Sequence, residues 1–293
     1  MVTAQTTERR FSVVAWGLLG YNMLVVLWGA FVRATGSGAG CGDRWPLCNG
    51  VMVPRGPRIE TIIEFTHRVT SGLALMGVIG LCVWAFRLFP RGHRARLFAM
   101  LSVVFLFTEA LLGAGLVLFQ YVEHNASAGR AAYLSAHLVN TQILLAMLAA
   151  AAWFGGRAAT ELRRPASKLT RAALAAALIV AISGALAALG DTLFPAASLV
   201  GGMRAEFSAS AGALLRLRVF HPALALAGSV VLLAAGLSAG RAGRIVAVLV
   251  VVQLLAGVVN IALLAPVWMQ IVHLLLADLL WVALVVLALE APV

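Results

Sequence analysis

Eight apolar stretches follow one another along this chain, and about 20 apolar residues are enough to cross the hydrocarbon of a bilayer. They fall at residues 12–33, 61–88, 96–120, 132–154, 169–190, 215–238, 243–264 and 268–289. Hydrocarbon offers backbone polar groups no water, so each stretch must pair its own and is expected to be a helix. The runs are continuous rather than alternating, which argues against a transmembrane β-barrel. Charged residues make up 11% of the sequence, against about 25% in soluble domains. The expected fold is an all-α integral membrane protein with eight transmembrane helices.

A formal net charge of +11 would suggest nucleic acid as the partner of a soluble protein. Here the basic residues gather between spans, as they do in the cytoplasmic loops of membrane proteins, and no nucleic-acid partner is expected. Arg9 and Arg10 precede the first span. Arg87, Arg91, Arg94 and Arg96 follow the second, and Arg157, Arg163, Arg164, Lys168 and Arg171 follow the fourth. Arg241 and Arg244 follow the sixth, whereas the loop after the third holds only Arg130 and the loop after the seventh holds none. Both termini are therefore expected in the cytoplasm. The polar start, residues 1–11, has no small-residue cleavage site after a short apolar run, so no removable signal peptide is expected.

The two long loops, 34–60 and 191–214, then both face outside at equivalent places in the two halves. Leu111-Leu112-Gly113-Ala114 resembles Leu254-Leu255-Ala256-Gly257, and Ala136-His137-Leu138 resembles Val272-His273-Leu274. The pattern is an internal repeat of four spans, with an N-terminal unit at 1–160 and a C-terminal unit at 161–293. An even number of spans repeats in parallel, so the halves are expected as two pseudo-symmetric four-helix bundles about an axis along the membrane normal.

Of six histidines, His93 and His124 fall in loops and are expected to be solvated. His67, His137, His221 and His273 fall in the second, fourth, sixth and eighth spans, all running inward, five to eight residues below the outer end. At 1.5 Å per residue they share a depth of roughly 8–12 Å. Ionisable groups inside spans are costly and usually functional, although a hydrogen bond to a neighbouring helix is the plainer use of any single one. Two pairs at one depth suggest two metal centres. Zinc wants four tight ligands or an open three-ligand site, whereas a flat iron macrocycle takes two axial imidazoles.

Glu64 lies three residues before His67 and shares its face of the helix. The matching position before His221 is Arg218, so only the first half pairs a carboxylate with its histidines. That half is the better candidate for chemistry, with Glu64 as a general base or as a stabiliser of developing positive charge. A salt bridge to Arg68 or Arg33 is its plainer use. Glu109, in the third span, is a second intramembrane acid that could pair or carry protons. Arg33, Arg68, Arg216 and Arg218 lie near outer helix ends and are candidate partners for heme propionates, or ordinary interfacial cations.

The outer segment Thr35 to Gly50 reads TGSGAGCGDRWPLCNG, a turn-rich loop. Cys41 and Cys48 lie close enough in sequence for a disulfide, which oxidising conditions outside would permit. It would be either a structural staple or a redox-active pair. Cys82, inside a span, reads as a small packing residue.

Together these motifs resemble the heme A synthase family, over essentially the whole chain. The resemblance rests on VRATGSG at Val32 to Gly38, CGDRWPLCNG at Cys41 to Gly50 and EFTHR at Glu64 to Arg68. It also rests on AHL, FHP and VHL around His137, His221 and His273. It implies oxidation of one methyl group of heme O to a formyl group, giving heme A for cytochrome oxidase. It implies substrate heme between His67 and His137, heme b between His221 and His273, Glu64 as the essential acid, and a Cys41–Cys48 disulfide. It implies a bacterial or archaeal cell membrane, with the iron sites toward the outer face. Heme O synthase is the supplier such an enzyme would meet, and a homo-oligomer is compatible with the family. Some relatives carry a second cysteine pair in the loop at 191–214, which this chain lacks, so no electron acceptor is implied.

The competing reading is a di-heme b-type electron carrier. Carriers that move electrons across a membrane stack hemes at different depths, and these histidines share one. A proton-relay transporter would show discontinuous, Gly/Pro-broken spans, which the sequence does not suggest.

Overall fold

The computed structural model describes residues 2–157, 166–209 and 211–290, and among them every regular element is helical. In order these are α1 (Val2–Ala34), a 3-10 turn (Ser37–Ala39), α2 (Ile59–Leu88), α3 (Arg94–Leu118), α4 (Ala128–Gly155) and α5 (Lys168–Leu193). They continue with α6 (Leu199–Glu206), α7 (Ala213–Leu237), α8 (Gly240–Ala262) and α9 (Val267–Leu289). All but the short α6 are long and apolar enough to cross a membrane, so eight spans are present as expected. The expected boundary at 160, with Arg163 and Arg164, lies outside the described residues.

Helix starts follow from local chemistry. The hydroxyls of Ser127, Ser167 and Ser198 accept from the N–H groups of Arg130, Thr170 and Gly201, capping α4, α5 and α6. Two features depart from the sequence reading. Helix α1 continues back to Val2, because no proline or glycine interrupts the polar start. The segment 191–214 carries α6, too short and too polar to have stood out from the apolar pattern.

Two closed rings of four helices result. Helices α1, α2, α3 and α4 pack in cyclic order, and α5, α7, α8 and α9 do the same. The first ring closes around Phe11, Leu19, Val78, Leu145 and Leu148, all at most 5% exposed. Alanines at 149–152 keep α4 thin, and without a hydrophobic drive in lipid such small surfaces let helices approach closely. The rings join where α4 meets α5 and α9, and where α1 meets α9. Accordingly α4 is the most enclosed span, 72% of its apolar window being buried against 11–33% elsewhere.

Polar side chains tie the rings at two heights. Arg33 of α1 donates through Nη1 to the Ala188 carbonyl and Thr192 Oγ1, both 2.7 Å away, and through Nη2 to Gln270 Oε1 at 3.0 Å. Deeper, Gln142 Nε2 of α4 donates to Asp278 Oδ1 of α9 at 2.9 Å, and Trp281 Nε1 donates to the Gln142 carbonyl. Large apolar side chains such as Leu24, Met76, Phe107, Leu226 and Val258 are exposed on the outer surface, where lipid would cover them.

Candidate functional site

Each of the four span histidines faces a glycine on the preceding span. A Cβ at Gly29 of α1 would lie 2.9 Å from His67 Cε1, and one at Gly113 of α3 3.5 Å from His137 Nε2. At Gly184 of α5 it would lie 3.0 Å from His221 Cε1, and at Gly257 of α8 3.3 Å from His273 Cε1. The glycines give each imidazole a slot against the neighbouring backbone. The histidines lie six to nine residues inside α2, α4, α7 and α9, which is about 9–14 Å at 1.5 Å per residue. Sequence inspection found the histidines and missed the glycines, whose pairing arises only between helices.

In the second ring the His221 and His273 ring centres lie 6.4 Å apart with planes at 82°. Two imidazoles binding one metal at about 2 Å per bond place their ring centres about 6 Å apart. At that spacing His221 and His273 would be able to hold a single iron between them. The Ser183 hydroxyl donates to the Val180 carbonyl, so at 3.0 Å it must accept from His221 Nδ1–H. That hydrogen bond leaves the lone pair on Nε2, the nitrogen that would bind metal. His273 Nδ1 is buried without a hydrogen-bond partner, and the Gln253 amide lies 3.3 Å from its Nε2.

The first ring repeats the plan with different supports. His137 Nδ1 lies 2.8 Å from Glu109 Oε1. Asn140 Nδ2 donates to Glu109 Oε2 at 2.6 Å, and the Thr141 hydroxyl donates to Oε1. Asn140 is itself held by Thr108 and the Phe105 carbonyl. His67 and His137 are electrostatic neighbours, and His67 Nδ1 is buried without a hydrogen-bond partner. Among the described residues no three His, Cys, Asp or Glu side chains converge on a metal position. The donors at either pair are therefore two imidazoles, as heme iron takes, and the glycine slots that seat each ring against the neighbouring helix fit that group.

Glu64 does not face its histidine partner alone. Its Oε1 accepts from Arg68 Nη2 at 2.6 Å and Nε at 3.1 Å, and its Oε2 accepts from the Cys41 N–H at 2.7 Å. Arg68 Nη1 also donates to the Arg44 and Leu47 carbonyls, both at 2.8 Å. The pair thus clamps the cysteine loop onto α2. Cys41 and Cys48 form a disulfide and are 0% and 1% exposed. Thr61 Oγ1 donates to the Gly40 carbonyl, and a Cβ at Gly40 would come within 2.4 Å of the Glu60 backbone. Only glycine permits that approach.

The four arginines proposed for propionates are all engaged. Arg33 reaches the second ring, and Arg68 holds Glu64 and the loop. Arg218 pairs with Asp191 at 3.0 Å and Glu206 at 3.2 Å, and donates to the Phe194 carbonyl. Arg216 donates to the Ser208 and Ala209 carbonyls. Arg130, which the sequence reading treated only as a loop charge, is 3% exposed and has a buried Nε without a hydrogen-bond partner. His124 is exposed as expected, but His93 is not solvated. It is 7% exposed, stacks on Phe89, and its Nδ1 accepts from the Ala95 N–H to cap α3. A loop position in sequence gave no hint that the ring would fold under the helix end.

Residues 12–285 match the COX15-CtaA family model, described as cytochrome oxidase assembly protein. A Thermus thermophilus protein named protoheme IX farnesyltransferase is 46% identical over 294 residues, covering 96% of this chain and 48% of that protein. The heme A synthase of Halalkalibacterium halodurans is 46% identical over 97 residues, 33% of each chain. That of Exiguobacterium sibiricum is 36% identical over 113 residues, 39% of this chain and 38% of that protein. The chain thus spans about half the length of the Thermus relative.

Proposed function

Because the chain belongs to the COX15-CtaA family of cytochrome oxidase assembly proteins, we propose that it is a heme A synthase, an oxidoreductase that converts the heme O methyl group to a formyl group. The observation that carries this reading is the pair of glycine-slotted histidine sites, one in each helix ring. His67 and His137 are assigned to the substrate heme, and His221 and His273 to a resident heme b. A bound porphyrin iron supplies the redox chemistry. The protein's part is to grip the macrocycle from both faces, exclude water, and hold charge beside it.

Glu64 is assigned the catalytic carboxylate. One helical turn from His67, its negative charge is fixed by Arg68 and the Cys41 amide, where it can stabilise positive charge developing at a porphyrin substituent. That role suits an anchored carboxylate better than a general base, which would first have to give up Arg68. Arg33, Arg68, Arg216 and Arg218 stay candidates for the propionates, with Arg130 added for its orphaned Nε. The buried disulfide is assigned a structural role, since a thiol partner cannot reach it.

A protein named protoheme IX farnesyltransferase contains a stretch matching nearly all of this chain. That supports a farnesylated heme as substrate and its producer as the partner that hands it over. We place the chain in a bacterial or archaeal cell membrane, with termini inside and both iron sites toward the outer face, as the basic loops direct.

The test is purification from membranes followed by incubation with heme O under air with an added electron acceptor, because turning a methyl into a formyl group removes four electrons and takes up one oxygen atom. Bound heme and a formyl-heme product are expected. Heme without product would favour a di-heme electron carrier, and no heme at all would sink both readings.

A further inference from the structure

Glu109 of α3 and Gln253 of α8 stand at matching positions, each four residues before the glycine that slots a histidine, Gly113 for His137 and Gly257 for His273. Both touch that histidine. Glu109 Oε1 lies 2.8 Å from His137 Nδ1, and the Gln253 amide lies 3.3 Å from His273 Nε2. The two sites share a helix register but differ in charge and in contact: a carboxylate meets His137 at Nδ1, whereas a neutral amide meets His273 at Nε2 and leaves its Nδ1 without a partner. The remaining supports of the second site are neutral, His221 resting on the Ser183 hydroxyl.

We infer that Glu109 is a positioning residue that, through His137, makes the first-ring iron site the lower-potential one of the two. The inference rests on the heme sites assigned above. A carboxylate behind a ligating imidazole fixes the tautomer with Nδ1–H toward the acid and Nε2 toward metal, and it makes the ring a stronger donor. A stronger donor with a nearby negative charge favours ferric over ferrous iron and lowers the reduction potential. An amide or hydroxyl does this less. Glu109 is built to keep its place: Asn140 and Thr141 hold the carboxylate, and Thr108 and the Phe105 carbonyl hold Asn140. The resulting order, low potential at the substrate ring and higher at the resident ring, favours electrons leaving the substrate side for the heme b side.

The experiment is a spectroelectrochemical titration of the purified full chain carrying both hemes, with low-spin ferric EPR signals recorded in parallel. His221→Ala assigns the second-ring features by their loss. Wild type should show two potentials, the lower from the first ring. Glu109→Gln should raise that lower potential toward the upper one and move its EPR signal, leaving the other ring unchanged. Glu109→Asp should restore most of the difference. Gln253→Glu, which sets a negative charge beside His273 without the Nδ1 contact, should lower the second-ring potential, and it decides the matter even if Glu109→Gln sheds its heme. Both hemes present with potentials unmoved by either substitution would overturn this inference alone. A wild-type chain that takes up no heme would overturn the assignment of the iron sites and this inference with it.

Discussion

Glu64 and Arg218 occupy the same place in the two helix rings, each three residues before a histidine, and each fastens the segment that precedes its own helix. Glu64 does so through Arg68 and the Cys41 amide, and Arg218 through Asp191, Glu206 and the Phe194 carbonyl. The charge is reversed and the job of tying loop to helix is kept. Only in the first half does the tie leave an acid beside the histidine.

Two substitutions separate anchoring from chemistry at Glu64. Arg68→Gln leaves a buried carboxylate with only main-chain support, which should cost about 3 kcal/mol of stability. Glu64→Gln should keep bound heme and abolish the formyl product. Thermal unfolding in detergent and product analysis read the two effects. An Arg68→Gln protein as stable as wild type would show that the ion pair does not hold the loop, and undiminished turnover in Glu64→Gln would remove the acid from the mechanism.

The eight spans were legible because hydrocarbon leaves a continuous apolar run one solution, and the histidines because a titratable side chain in such a run is conspicuous. The Cys41–Cys48 bridge was legible from a short spacing in an outer loop. What joins distant helices was not. Nothing near Arg33 in sequence points to Ala188 or Gln270, which lie 155 and 237 residues away. Glu109 and His137 meet only because α3 and α4 pack side by side. The repeat as read from Leu111-Leu112 and Leu254-Leu255 sets Glu109 against Val252; only the slots at Gly113 and Gly257, which the packed helices create, put Glu109 opposite Gln253.

The glycine slots predict a graded series. Adding a methyl at Gly184 sets it 3.0 Å from His221 Cε1, tighter than the 3.3 Å at Gly257 beside His273. Alanine favours a helix over glycine by about 1 kcal/mol, so these variants should stay folded. Gly184→Ala should weaken the second-ring heme spectrum more than Gly257→Ala, while Gly80→Ala, where nothing lies within 4 Å, should do nothing. Equal spectra in all three would mean that the imidazoles do not need the slots.

The disulfide should behave as a staple. Its cysteines are 0% and 1% exposed, so a mild thiol reductant should leave it intact in the folded protein and reduce it once denaturant is added. Opening so short a loop in the unfolded chain is worth about 2–3 kcal/mol. Cys41→Ser with Cys48→Ser should lower the thermal midpoint while both heme spectra persist. Rapid reduction of the native protein would instead assign the pair a redox role.

His93 gives the fold a pH dependence outside the spans. Its ring is buried against Phe89, and its Nδ1 must be unprotonated to accept the Ala95 N–H at 3.1 Å. Burial pushes its pKa below the ordinary 6.5, against an upward pull from Glu8 and the Arg157 main chain. The unfolded chain therefore takes up the proton first as pH falls, so the stabilisation is complete above the unfolded value and drains away below it. Between about pH 7.5 and about pH 5.5 the thermal midpoint should fall, and His93→Asn, a capping side chain that does not titrate, should fall less. The other buried histidines contribute equally to both proteins, so the difference between the two curves belongs to His93. Parallel curves would mean that the cap keeps its hydrogen bond at every pH tested and that the ring's burial has no consequence for stability.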